Sequence, residues 1–152
     1  MNLKFLPFFI IFIFFQGCGY QPILSEKNQK FSINNFLITG DKKLGQTLAN
    51  KIYRVEGAEN ILEVGIFATK KREVSAKSAK GSVKEYNLAI KFQIDVFTEA
   101  NEKVFSKLFS QHQTLKASTL HVDTLNREKK IINDMVNEIR EELLLQLNLI
   151  YS

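Results

Sequence analysis

The sequence holds a single cysteine, Cys18, so no internal disulfide is possible and stability has to come from packing alone. Histidine is nearly as scarce: His112 and His121 are the only two, and neither lies in a metal-ligand pattern with Cys, Asp or His at short helical spacing. There is no Gly-rich phosphate loop and no Gly-x-Ser-x-Gly nucleophile elbow. An enzyme needs a positioned nucleophile, base or metal, and none is legible. We therefore expect no catalytic residue, no metal and no cofactor. The longest apolar run, Phe5 to Phe15, spans eleven residues, about half of the roughly 20 that a transmembrane helix requires.

That short run is informative by its position. Lys4, the apolar stretch and Gly17 supply in order the basic n-region, the hydrophobic core and the small residue of a secretory signal. Residues 1–17 read as a signal peptide that is removed. Phe15-Gln16-Gly17-Cys18 resembles a bacterial lipobox, in which the cysteine becomes the acylated first residue of the mature chain. Gly17 and Cys18 match that pattern, Phe15 stands for the usual leucine, and Gln16 is larger than the pattern normally holds. A free thiol or an intermolecular disulfide at Cys18 is the alternative. Several acyl chains on one residue anchor firmly where one does so only marginally, so the reading is of a protein held on a membrane. By resemblance to the lipoprotein sorting pattern, Gly19 in place of the aspartate that retains lipoproteins in the inner membrane favours the outer membrane, with the domain on its periplasmic side.

Residues 18–29 look like a polar tether, with Pro22 and Asn28, and a single domain is expected over 30–152, a length sufficient for its own core. Phe31, Phe36, Phe67, Phe92, Phe97, Phe105 and Phe109 are spread through it and suit one core. Phe31–Thr39 reads as a strand ending at Gly40-Asp41, a turn signal that can also cap a helix. Lys42–Val55 places Leu44, Leu48, Ile52 and Val55 on one helical stripe. Asn60–Arg72 reads as a strand with apolar residues on both faces. Glu85–Ala100 is the clearest element: Tyr86, Leu88, Ile90, Phe92, Ile94 and Val96 alternate with polar residues, the mark of a sheet with one covered face. That unbroken face suggests a sheet filled by helices with little room for a ligand cavity, and it makes Tyr86 and Phe92 core residues. Val104–Leu115 returns as a hairpin partner. Asp123 or Thr124 can cap a final helix of about 24 residues, with a stripe of Leu125, Ile132, Met135, Val136, Ile139, Leu143 and Leu147. Glu138, Glu141 and Glu142 fall on its solvated face. The expected fold is α+β, in the order β-α-β-β-β-α: a four-stranded, mostly antiparallel or mixed sheet covered on one face by two helices.

The formal charge is +5, a modest basic excess that favours anionic partners. Its distribution is more telling. From Lys70 to Lys84 six basic residues, Lys70, Lys71, Arg72, Lys77, Lys80 and Lys84, face one acid, Glu73. Two readings stand side by side: a hairpin tip kept soluble by charge, or an anion-binding tip. Interleaved aromatics for base stacking are missing, and nucleic acid is not expected. A phosphorylated glycolipid is the natural polyanion for an exported lipoprotein.

The start of the mature chain, Cys18-Gly19-Tyr20-Gln21-Pro22, followed by a strand and helix, a long hairpin and a C-terminal amphipathic helix, resembles the LptE family of lipopolysaccharide-assembly lipoproteins. The resemblance covers nearly the whole chain. It implies a partner, the outer-membrane β-barrel LptD, and a role as plug and lipopolysaccharide-binding component; beyond Cys18 it carries over no site residue. The competing reading is an auxiliary lipoprotein of a lipid-transport ABC system, or a generic anion-binding lipoprotein of the periplasm.

Overall fold

A computed structural model of the chain describes residues 29–151; the stretch read as a signal peptide, Cys18 and residues 18–28 of the expected tether lie outside the described residues. The elements are β1 (Phe31–Gly40), α1 (Lys42–Ala49), β2 (Asn60–Lys77), β3 (Val83–Thr98), β4 (Lys103–Lys116) and α2 (His121–Ile150). The four strands form one mixed sheet in the order β1-β2-β3-β4. β1 runs parallel to β2, and the other two pairs are antiparallel. Parallel neighbours require a crossover of a dozen or more residues, and α1 with the loop after it provides one. The expected α+β fold and element order are those observed.

The alternation of β3 dictates the rest. Leu88, Ile90, Phe92, Ile94 and Val96 are fully buried on one face. Their partners on β2 include Ala68, Ile66 and Val64, and on β4 Phe109 and Phe105. α2 lays Met135, Val136, Ile139, Leu143 and Leu147 across this face, with α1 adding Leu44 and Leu48, so the layers share one core. Tyr151, just past α2, stacks 5.8 Å from Phe31, and burial pushes its hydroxyl above the usual phenol range. Among the described residues the other face of the sheet carries no helix and leaves Leu37, Phe67 and Leu108 exposed, so Phe67, expected in the core, lies outside it because its register puts it on the opposite face from Ile66 and Ala68.

Several boundaries differ from the sequence expectation, those of the strands β1, β3 and β4 by one or two residues and those of α1, β2 and α2 by more. α1 ends at Ala49 instead of Val55: Lys51 and Ile52 tighten onto the carbonyls of Leu48 and Ala49, and the chain then leaves to tie down the edge of β1. There Arg54 donates to the Asn34 carbonyl at 2.8 Å, beside a register shift, and the Val55 amide donates to Ser32 Oγ. Ile52 stays buried, which explains why it continued the stripe. β2 extends beyond Arg72 to Lys77 because β3 pairs with it throughout. α2 begins at His121, with Leu120 as N-cap and no side-chain cap bond; Thr124 lies inside the first turn, where its Oγ1 accepts the Ser118 amide. At 30 residues the helix is longer than the expected 24 or so. Leu125, expected in the stripe, is 38% exposed.

Asp41 caps α1 by accepting the Leu44 amide, as the turn signal suggested. The preceding Gly40 has φ +75°, and a Cβ there would collide with the Ala68 carbonyl, which also receives the Asp41 amide at 2.8 Å. Gly45 lets α1 press against Ile38, whose Cγ2 occupies the place of a side chain at 45. On the uncovered face Asp95 accepts from Ser106 Oγ at 2.6 Å and pairs with Lys103 at 3.2 Å. The Ser106 hydrogen bond, with help from Lys103, holds its carboxyl below the ordinary carboxylate range.

Two outcomes follow. Gly40→Ala should destabilise the fold by about 1–3 kcal/mol in chemical denaturation, since positive φ and the Ala68 carbonyl act together. Asp95→Asn should lower stability at neutral pH. Because the carboxyl is depressed in the folded state, its contribution is complete above the unfolded value of about 3.9 and is lost as pH falls through that value toward the folded one. Unfolding curves of wild type and variant should therefore converge in acid.

Candidate anion-binding pole

β1 ends opposite Ala68, and beyond that point the β2–β3 hairpin runs on past it. Register shifts between Val74 and Lys77 bend the hairpin before its turn at 78–82. That turn is closed by the Ser78 amide on the Ser82 carbonyl and by Ser78 Oγ accepting the Ser82 amide, with Gly81 at φ +84°. Phe31, at the N-terminal junction of the described fold, pairs with Asn60 at the start of β2. The 18 residues of β2 at about 3.3 Å each separate that junction from the hairpin turn by roughly 56 Å.

The structure divides the six basic residues singled out from sequence. Lys77, Lys80 and Lys84 surround the turn and are exposed. Lys71 is exposed in mid-strand, where it pairs with Glu73 at 2.7 Å. Lys70 and Arg72 alternate onto the helix-covered face and meet Glu128 of α2. Arg72 donates to Glu128 Oε2 at 2.9 Å, and its guanidinium lies 3.9 Å over the Tyr86 ring. Lys70 stands 3.9 Å from the other carboxylate oxygen. Tyr86 is thus half-buried beneath Arg72 at the margin of the core, while Phe92 lies fully inside it. Glu128 is 8% exposed, and a carboxylate that buried requires such partners. Arg72 therefore acts as a strut between hairpin and helix, and the free cations are those nearer the turn.

Folding adds cations that no local run revealed. Segments 40–48, 69–91 and 109–130 gather toward the hairpin end, and together they carry thirteen Lys and Arg against five Asp and Glu. The remaining described residues carry six against ten. Lys42, Lys43, Lys116, Arg127, Lys129 and Lys130 belong to this pole; only the 127–130 cluster at the start of α2 left a short sequence signal. The opposite pole, where the described chain begins at β1, is acidic. Lys107, farther toward it, reaches across to Glu142 at 2.7 Å. Among the described residues no group of three or more His, Cys, Asp or Glu is placed to hold a metal ion, and no helix is long and apolar enough to cross a membrane.

Comparison of the sequence with protein-family models and with curated proteins finds no match. Solved structures do match. The crystal structure of rare lipoprotein B from Shewanella oneidensis superposes with a TM-score of 0.51 at 14% identity, covering 74% of this chain and 92% of the other. An uncharacterized lipoprotein B from Nitrosomonas europaea, solved by NMR, gives 0.54 at 16% identity, with 81% and 88% covered. A lipoprotein from Caulobacter crescentus gives 0.57 at 10% identity, with 81% and 91% covered. The class defined in this way is one of fold: the strand-helix-three strands-helix domain superposes on these bacterial lipoproteins over 74–81% of this chain.

The strut yields a direct test. Arg72→Leu and Glu128→Leu should each destabilise by about 2 kcal/mol, because each strands a charged partner. The double variant should recover part of the loss, a coupling of about 1–3 kcal/mol in a denaturation cycle. Additive losses would show that the pair is not coupled.

Proposed function

We propose that this chain is a lipoprotein anchored through Cys18 on the periplasmic side of the outer membrane, and that it partners an LptD-like β-barrel in lipopolysaccharide assembly as plug and lipopolysaccharide-binding component. The observation that carries the reading is the joining of a lipobox-like start to a fold shared with three bacterial lipoproteins. The charge polarity supports it. A compact domain can occupy the polar lumen of a large barrel, and its cationic pole suits the phosphates of lipid A through charge-assisted hydrogen bonds. The described domain begins at the far, acidic pole, roughly 56 Å along β2 from the hairpin turn that carries Lys77, Lys80 and Lys84. That separation suits a protein that meets its ligand away from the surface holding it.

Expressed with a C-terminal tag and extracted from outer membranes in mild detergent, the protein should co-purify with an LptD-like barrel in near-equal amount by mass spectrometry. Recovery of inner-membrane transport proteins, or of no barrel, would contradict the proposal. Lys77→Glu/Lys80→Glu/Lys84→Glu should weaken lipopolysaccharide binding by about tenfold while leaving thermal stability near wild type, because these side chains are exposed and outside the core.

A further inference from the structure

A second feature of the basic pole is concave. Between α1 and the first turns of α2, beside the end of β1, lies a groove of about 420 Å³, within the range of small-ligand sites. The expectation of little cavity space holds for the sheet core, whose side chains are fully buried. The groove lies outside that core, where two helices of unequal length diverge. Leu44, Leu125 and Ile132 form its apolar lining, and Lys43, Lys70 and Lys129 its cationic one.

The two acids of the groove are already engaged. Asp41 caps α1 by accepting the Leu44 amide. Glu128 takes the Arg72 guanidinium at 2.9 Å and has Lys70 at 3.9 Å. Among the described residues Lys43 and Lys129 have no acid partner of this kind, so the charge that these residues present to an occupant is positive. Leu125 is 38% exposed, although it stands on the same helix stripe as core residues. An apolar floor with ammonium groups at its margin matches one chemistry: a hydrocarbon chain ending in an anionic head. A purely apolar occupant would leave the lysines unused, and a bare anion would leave Leu125 and Ile132 in water.

We infer that the α1–α2 groove binds the acyl chain of a phosphate-headed, single-chain lipid, with the phosphate at Lys43 and Lys129 and the chain over Leu44, Leu125 and Ile132. The site is separate from the hairpin turn and does not rest on the barrel partnership. Lys70 gives the groove a link to the strut, since an anion beside it competes with Glu128 for the same ammonium.

The test uses the full chain in native membranes and a palmitoyl lysophosphatidic acid carrying a photoreactive diazirine in its acyl chain. The matching lysophosphatidylcholine serves as the zwitterionic control. Light should attach the phosphate-headed probe to peptides spanning 43–47 and 125–133, with the choline probe labelling them less. Lys43→Glu/Lys129→Glu, exposed positions whose exchange leaves the core intact, should cut labelling by roughly five- to tenfold. Ile132→Trp, which fills the groove, should do the same, while Lys77→Glu/Lys80→Glu/Lys84→Glu should not. Equal labelling by both head groups, labelling indifferent to Lys43→Glu/Lys129→Glu, or label spread over the uncovered sheet face would overturn the inference. Its failure would leave barrel co-purification unaffected, so the two readings are separable.

Discussion

β3 must bury five alternate side chains on one face while both of its edges are occupied, and nearly every other feature accommodates that requirement. β2 and β4 extend the apolar face to either side, and α2 covers it along most of its length. At about 25 cal/mol for each Å² of apolar surface removed from water, this single interface dominates the stabilisation available to a chain without disulfides. Because the described helices cover the sheet on one side only, its other side remains polar in most rows, with Leu37, Phe67, Phe97 and Leu108 among the exceptions. The helix that closes the core also fixes the hairpin, because the turn of α2 that carries Glu128 is where Arg72 and Lys70 attach.

Closure of the core in this way produces the charge polarity. The long hairpin carries its lysines past the end of β1, and α2 starts beside it, so Arg127, Lys129 and Lys130 join a cluster that a linear reading places some fifty residues away. The α2 N-terminus, itself the positive end of the helix dipole, points the same way. Acids collect at the other pole, with the C-terminal end of α2. A molecule with one cationic and one acidic end orients itself in the field of a polyanion, and β1, where the described domain begins, lies at the end such a field repels.

Much of this was legible from residues alone. The period of two in Glu85–Ala100 fixed a strand covered on one face, Gly40-Asp41 marked the start of α1, and Phe105 and Phe109 fell on the face opposite Leu108 as their spacing requires. The misjudged boundaries have physical causes. Ile52 is buried from a tightened turn and Val55 is half-buried from the loop, so a helical stripe persisted where the helix had ended. His121 and Val122 enter α2 behind a leucine that provides no capping oxygen, and such a start leaves no mark in sequence. At the pole, the run Lys70–Lys84 announced its charge but concealed its division of labour. Alternation sends Lys70 and Arg72 to one face and Lys71 to the other, and the partner of Arg72 lies 56 positions downstream. The α1–α2 groove, assembled from three distant segments, had no local signal.

Residue-resolved NMR of the chain titrated with lipid A in detergent tests the proposal that the cationic pole meets phosphate-bearing glycolipid. Shift changes should concentrate at residues 70–84, 116 and 127–130, with the acidic pole at residues 56–63 and 99–102 unmoved. Changes centred on the acidic pole, or on Leu37, Phe67 and Leu108 of the uncovered sheet face, would contradict it.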